Sequence, residues 1–163
     1  MQILYQDLFV TNNGGNSWND ISSGLPNKTI TYIAVHPTDP DKVWVTLSGY
    51  TSGQKVYKSL DGGNNWLNYS GTLPNIPVNT IVLDENSSSE TLYIGTDLGV
   101  FIRDNNSADW SNFNNLTLPN VIVSELEIQY SSNKLIKSIS CPHKVASSIK
   151  VSLIAALKLL LVL

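Results

Sequence analysis

The chain alternates short apolar runs with clusters of Asn, Ser, Thr, Gly, Asp and Pro. Runs such as Thr29–Val35 and Val43–Leu47 are rich in β-branched and aromatic residues, which favour strands. The polar clusters between them are typical of tight turns. Helix formers are scarce before position 145. The pattern therefore predicts an all-β fold built from many short strands.

One polar segment recurs and predicts how these strands are grouped. It reads TNNGGNSW at 11–18, SLDGGNNW at 59–66 and RDNNSADW at 103–110, and we call these segments the first, second and third box. Each box follows a short apolar run and precedes a Leu-Pro-Asn sequence. The box tryptophans lie 48 and 44 residues apart, a spacing typical of propeller blades. The repeat predicts a row of β blades.

Two complete blades of four strands are predicted. Strand one of the first complete blade is apolar on both sides, so we expect both of its faces to be covered. A box forms the hairpin between the third and fourth strands of each blade. The predicted strands are Thr29–Val35, Val43–Leu47, Lys55–Ser59 and Trp66–Tyr69, then Val78–Leu83, Thr91–Thr96, Val100–Arg103 and Trp110–Phe113.

Half blades flank the two complete ones. Strands three and four alone precede them, at Leu8–Thr11 and Trp18–Ile21, and strands one and two alone follow, at Val123–Tyr130 and Lys134–Ile139. Propellers typically have 4 to 8 blades, and a blade buries its faces only against its neighbours. The sequence therefore predicts a partial β-propeller, a segment of a larger ring.

The boxes have the chemistry of tight turns. In the pattern S/T-x-D-x-G-x-x-W, the hydroxyl and carboxylate bond turn backbone, the glycine adopts a conformation that other residues avoid, and the tryptophan packs beneath. The second box matches every position, the first has Asn for Asp, and the third keeps little beyond its tryptophan. The predicted structural residues are Thr11, Asn13, Gly15, Trp18, Ser59, Asp61, Gly63, Trp66 and Trp110.

This arrangement resembles the Asp-box (BNR) repeat of sialidases, sortilin-like ten-bladed propellers, xyloglucan-cleaving glycoside hydrolases and a photosystem II assembly factor. Segments such as IAVHPTDPDKVWVT and LYIGTDLGVF are similar to blades of large secreted propellers of the Bacteroidetes type. The resemblance implies a secreted, cell-surface or periplasmic protein. It also implies that the boxes lie on outer hairpins, away from the ligand face, so they define the fold more than the function.

Several function classes lack support in the sequence. The sequence contains no basic stripe, so it does not predict a nucleic-acid partner. Because Cys141 is the single cysteine of the chain, no internal disulfide can form. His36 has no second histidine near it in sequence, so neither a metal site nor a cofactor is predicted. Glycoside hydrolysis needs two facing carboxylates, but the adjacent acids here, at 39, 41, 84 and 85, lie in predicted turns. We expect no catalysis within this segment, although its parent could be a glycoside hydrolase.

A ligand face is nevertheless predicted from the plan of the blades. It should comprise the loops from strand two to three and from strand four to the next blade. The candidate residues are Tyr50, Gln54, Lys55 and Asp97, with the Asn75–Asn79 loop. Carbohydrate recognition is one hypothesis, because Tyr50 could stack on a sugar ring. A protein-interaction propeller without a glycan role is the other.

The last 27 residues have a different composition. Residues 1–136, the predicted propeller unit, contain all thirteen acids, whereas residues 137–163 contain four lysines and no acid. The apolar stretch Val151–Leu163 includes Lys158 and is shorter than the ~20 residues that span a membrane. Two interpretations remain: a change of reading frame after Ile136, or a genuine tail in which Val145–Leu163 forms a hydrophobic helix on an exposed blade face.

Overall fold

The computed structural model describes residues 7–113, 120–128, 130, 150–154 and 158–162. These residues form four antiparallel sheets, two of four strands and two of two strands. The sheets contain β1 (Phe9–Val10), β2 (Asn19–Asp20), β3 (Ile30–Val35), β4 (Val43–Leu47), β5 (Val56–Ser59), β6 (Leu67–Asn68), β7 (Val78–Leu83), β8 (Leu92–Thr96), β9 (Gly99–Arg103), β10 (Ser111–Asn112), β11 (Lys150–Ile154) and β12 (Lys158–Val162).

The two four-stranded sheets are the predicted complete blades. Blade A is the sheet β3-β4-β5-β6 and blade B is the sheet β7-β8-β9-β10, each a meander of neighbouring antiparallel strands. Their strand-one to strand-two registers shift at the same place, between Ile30 and Tyr32 in blade A and between Val78 and Thr80 in blade B. The sequence repeat is therefore a structural repeat, and the fold is a partial β-propeller.

Half blades flank these sheets. The sheet β1-β2, which we call the leading half blade, corresponds to strands three and four. Residues 120–128 and 130, the trailing segment, follow blade B. The expected strand Val123–Tyr130 forms no ladder in the described part of this segment. Its expected partner, Lys134–Ile139, lies outside the described residues, and a strand needs a hydrogen-bonded neighbour.

Three apolar layers lie between the leading half blade, blade A, blade B and the trailing segment. The largest lies between blades A and B and includes Trp44, Val56, Ile81 and Ile94. Leu8 of the leading half blade joins a second layer with blade A, and Leu126 of the trailing segment joins a third with blade B. Blades A and B thus bury side chains against the structure on either side of them, as blades in a row do.

Two expectations about coverage and helicity are wrong. Strand β3 is not covered on both faces, because Ile33 and Val35 are exposed where the leading half blade has no inner strands. The expected helix over Val145–Leu163 is also absent from the described tail, where β11 and β12 pair as antiparallel strands. Short apolar runs suit a strand as well as a helix, so periodicity could not decide. Among the described residues, no helix is long and apolar enough to cross a membrane.

Candidate functional site

The predicted ligand face brings Tyr50 and Asp97 together. Tyr50 lies in the loop from β4 to β5 and Asp97 in the turn from β8 to β9, so the pair joins blade A to blade B. The Tyr50 hydroxyl donates a hydrogen bond of 3.4 Å to Asp97 Oδ2, and Asn79 Nδ2 donates one of 3.0 Å to Oδ1. The Tyr50 side chain is anchored at its tip, yet the residue is 68% exposed.

Lys55 takes a different position from the one expected. The residue is completely buried, and its ammonium group donates a 2.7 Å hydrogen bond to the Gly49 carbonyl. Burial lowers the pKa of Lys55, and the positive charge of Lys28 lowers it further. Lys55 therefore holds the loop from within and does not present its amine to a ligand. The structure does not include it in the exposed cluster.

Gln54 also lies apart from the Tyr50–Asp97 pair. It is half-buried, and its backbone N–H donates to the Thr51 carbonyl at 3.4 Å, which closes the loop. The hydroxyl of Thr51 accepts a 2.7 Å hydrogen bond from Lys28 Nζ. Sequence reasoning missed Lys28, whose position just after a Leu-Pro-Asn sequence places it on the same loop face. The loop face therefore combines the exposed ring of Tyr50, the carboxylate of Asp97 and the ammonium group of Lys28, which is bonded to Thr51.

Near the predicted ligand face, hydrogen bonds at equivalent repeat positions join successive strands across the blade interfaces. The Thr31 hydroxyl donates to the Val78 carbonyl at 2.6 Å, and Asn79 Nδ2 donates to the Val123 carbonyl at 3.3 Å. Ser124 occupies the next position in this series. Its hydroxyl is buried and has no hydrogen-bond partner among the described residues.

The first and second boxes have the same turn geometry. In the second, the Ser59 hydroxyl accepts the Gly63 N–H at 2.8 Å and donates to Asp61 Oδ1 at 2.8 Å. The Asp61 carboxylate also accepts hydrogen bonds from Asn65, which lower its pKa together with the bond from Ser59. In the first box, Thr11 and Asn13 make the matching bonds to the N–H groups of residues 15 and 17. Every Asp61 bond is internal to the turn.

The box tryptophans reach across to the preceding sheet. Trp66 Nε1 donates to the Ile21 carbonyl and Trp110 Nε1 to the Tyr69 carbonyl, both at 2.8 Å. Trp18, the equivalent residue of the first box, is 59% exposed. The role of the tryptophan is therefore to join sheets as well as to pack against a turn, which the sequence pattern alone did not indicate.

The third box uses different residues from the other two. The turn is held by Asp104, which stands at a position that the S/T-x-D pattern leaves open. Its carboxylate accepts hydrogen bonds from the Asn106 N–H at 3.0 Å and from the Ser107 hydroxyl. The Arg103 guanidinium lies 3.8 Å from the centre of the Tyr69 ring. The Asp109 carboxylate accepts three hydrogen bonds from the N–H and hydroxyl of Thr72. Sequence reasoning missed these contacts between blades A and B.

The remaining candidate acidic residues lie in the turns from β3 to β4 and from β7 to β8. Asp84 Oδ1 accepts the Tyr130 hydroxyl at 2.7 Å, and burial followed by this hydrogen bond raises the pKa of Tyr130. Asp39 lies 3.6 Å from Lys42 within the turn from β3 to β4. His36 Nδ1 lies 3.3 Å from the Thr38 nitrogen, also within that turn. The described part of the chain contains no group of three or more His, Cys, Asp or Glu residues that could hold a metal ion.

Comparison with known proteins supports the fold alone. No protein-family model matches the chain, and no curated protein matches it. Its structure is similar to a crystal structure described as that of an ancestral GH74 enzyme, with a TM-score of 0.64 and 16% sequence identity. The match covers 96% of this chain and 23% of that one. The chain thus has the partial β-propeller fold and spans about a quarter of that enzyme's length.

Proposed function

We propose that this chain is a scaffold and binding segment of an Asp-box β-propeller, and that its loop face contributes part of a carbohydrate-binding site. The observation that carries the proposal is the exposed Tyr50 ring, whose hydroxyl is held by Asp97 across the interface of blades A and B. The internal bonding of the first and second boxes supports the Asp-box assignment. The structural likeness to a GH74 enzyme supports a carbohydrate-related class.

The chemistry of the cluster suits a sugar. An aromatic face provides a flat apolar platform for the C–H groups of a pyranose, and adjacent polar groups fix its orientation through hydroxyl hydrogen bonds. Tyr50 supplies the platform, and the Asp97 carboxylate, which hydrogen bonds from Tyr50 and Asn79 hold in place, supplies an acceptor beside it. Lys28 lies on the same face, bonded to Thr51.

We assign no catalytic residue to this segment. Asp97 is already bonded to Tyr50 and Asn79, Asp39 lies against Lys42 within a turn, and Asp84 accepts a hydrogen bond from Tyr130. Glycoside hydrolysis requires a second carboxylate at a defined separation across the scissile bond. If the parent protein is a glycoside hydrolase, its acids would come from other blades.

Further blades are the proposed structural partners. Trp18 is exposed, whereas its two equivalents donate to a preceding sheet. The buried hydroxyl of Ser124 has no partner among the described residues, whereas its two equivalents donate to the segment that follows. Both edges therefore have the donor groups of a blade interface. A secreted, cell-surface or periplasmic location is proposed from the resemblance to secreted propellers.

A glycan array probed with the full chain tests the carbohydrate proposal. We expect Tyr50→Ala to weaken binding to a positive glycan about threefold to tenfold, the range that loss of one aromatic contact gives. Tyr50→Phe should retain most of the affinity because the ring remains. Tyr32→Ala is the matched control, since it removes a tyrosine that is 43% exposed on a different strand. Equal losses for Tyr50→Ala and Tyr32→Ala would refute the site.

A protein-binding role is the second candidate, and one observation favours it. Leu98, next to Asp97, is 45% exposed, so the loop face also presents an aliphatic side chain beside the Tyr50–Asp97 pair. Apolar and tyrosine side chains together are typical of protein interfaces. Capture of a protein that depends on both Tyr50 and Leu98, with no glycan binding, would favour this function over the first.

A further inference from the structure

The first box contains the single Asn-Gly pair of the chain, Asn13-Gly14. Both residues are exposed in the hairpin between β1 and β2. An asparagine in this pair is prone to lose its amide, because glycine has no Cβ to shield its backbone nitrogen from the asparagine side chain. Every other asparagine of the chain is followed by a larger residue. Asn13 is therefore the asparagine whose neighbour least hinders deamidation.

The Asn13 side chain occupies the position of Asp61 in the second box. Its Oδ1 atom accepts the Ser17 N–H at 2.9 Å and the Thr11 hydroxyl at 3.0 Å. Asp61 Oδ1 accepts the equivalent N–H and hydroxyl of its own box, both at 2.8 Å. The two turns thus hold an amide oxygen and a carboxylate oxygen in the same way.

The other terminal atom of each side chain bonds the seventh residue of its box. Asn13 Nδ2 donates to the Ser17 hydroxyl at 2.7 Å, whereas Asp61 Oδ2 accepts from Asn65 Nδ2 at 2.6 Å. A hydroxyl can donate as well as accept, so Ser17 can bond an aspartate at position 13 by rotating its O–H. The turn of the first box therefore accommodates aspartate in place of Asn13.

We propose that Asn13 is a site of spontaneous deamidation, and that the turn of the first box favours aspartate over isoaspartate as the product. The Gly14 nitrogen loses its proton and attacks Asn13 Cγ, and the side-chain amide leaves as ammonia, which gives a cyclic succinimide. Water then opens the ring. Breaking the new bond to Cγ gives aspartate, and breaking the original peptide bond gives isoaspartate. Aspartate at position 13 completes the S/T-x-D-x-G-x-x-W pattern of the first box.

The turn distinguishes these two products by their geometry. Aspartate leaves the main chain unchanged and presents a carboxylate oxygen to the Ser17 N–H and the Thr11 hydroxyl, bonds that strengthen when the acceptor is charged. Isoaspartate routes the main chain through Cβ and carries its carboxylate on Cα, away from these donors. Because the bonds of Asn13 also restrain its side chain, the succinimide forms when the turn opens, and the reaction is slower in the folded chain than in the unfolded one.

Incubation of the full chain in mildly alkaline buffer, with and without urea, tests the proposal. Mass spectrometry of the tryptic peptide that ends at Lys28 locates the deamidated residue, and isoaspartate methyltransferase labelling measures isoaspartate. We expect Asn13 to react ahead of the exposed Asn16 in both conditions. The ratio of aspartate to isoaspartate should be about tenfold higher in the folded chain, the effect of one hydrogen bond to a charged acceptor. Equal ratios, or no preference for Asn13 over Asn16, would overturn the proposal.

A variant of the first box tests the role of the turn. Thr11→Val removes the hydroxyl that donates to Asn13 Oδ1 and accepts the Gly15 N–H at 2.9 Å, so it should lower the product ratio toward the value in urea. Thr38→Val is the matched control, because the Thr38 hydroxyl is exposed and bonded outside the box, and it should leave the ratio unchanged. Asn13→Asp, which supplies the product directly, should melt no lower than the unaltered chain. A lower melting temperature for Asn13→Asp, or an unchanged ratio in Thr11→Val, would contradict selection by the turn.

Discussion

Glu90 forms ion pairs across the interface of blades A and B, and we expect these to stabilise the folded protein. It lies in the turn from β7 to β8 and contacts Lys42 and Lys58 of blade A, at 2.5 Å and 3.5 Å. Burial raises its pKa, but the hydrogen bonds from Lys42 and Asn105 and the charges of the two lysines outweigh burial and bring the pKa to about 2. The carboxylate is therefore held ionised by the neighbouring blade.

The size of the effect follows from that pKa. A fall from the ordinary 4.5 to about 2 corresponds to about 3 kcal/mol of folding free energy. Because the folded pKa is the lower one, this stabilisation is complete above about pH 4.5 and is lost as the pH falls toward 2. Glu90→Gln should therefore destabilise the protein by about 2 to 3 kcal/mol at pH 7, and by much less near pH 2.

Urea unfolding of both proteins between pH 2 and pH 7 measures this difference. Glu85→Gln is the control, because it removes the same charge from an exposed side chain in the same turn. We expect only the Glu90→Gln difference in the free energy of unfolding to shrink as the pH falls. A Glu90→Gln loss below about 1 kcal/mol at pH 7, or one that is constant across the pH range, would refute it.

Three further substitutions test the box and interface contacts. Trp110→Ala should cost about 3 to 5 kcal/mol, because the side chain is buried and bonded to the preceding sheet, whereas the exposed Trp18→Ala should cost less than about 1 kcal/mol; thermal unfolding distinguishes them. Asp61→Asn should lower the melting temperature less than Asp61→Ala, since the first box makes the same turn with asparagine; equal losses would contradict the turn role. Gly71→Ala should destabilise by about 1 to 3 kcal/mol, because its φ is +54° and a Cβ would overlap Asp109; a neutral effect in a urea titration would contradict the Asp109 contact.

Inner strands could be predicted from the sequence more accurately than outer ones. Val43–Leu47 and Val78–Leu83 begin and end where the apolar runs do, because strands covered by neighbouring blades leave a continuous hydrophobic signal. The outer strands were predicted as four residues, but β6 and β10 have two each. Outer residues are solvated, so no hydrophobic signal marks where their pairing ends.

The site could be predicted only in part. The loops of the predicted ligand face follow from the order of strands, and the structure brings Tyr50 and Asp97 of those loops together. The burial of Lys55 depends on which side of β5 faces the core and on a carbonyl six residues earlier, and no local pattern encodes this. Glu90 and Asp109 likewise act across a blade interface, so their roles depend on how the sheets stack.

The third box shows why a weakened motif need not mean a weakened interface. It has lost the hydroxyl and glycine that close the other two turns, yet Arg103 packs on Tyr69 and donates to its carbonyl at 3.2 Å. Asp109 binds Thr72, and Trp110 donates to the same Tyr69 carbonyl. All three contacts connect blade B to the end of blade A. All three boxes share the tryptophan, and in blades A and B this residue donates a hydrogen bond to the preceding sheet. Stacking of the blades therefore constrains the box sequence more strongly than closure of its own hairpin does.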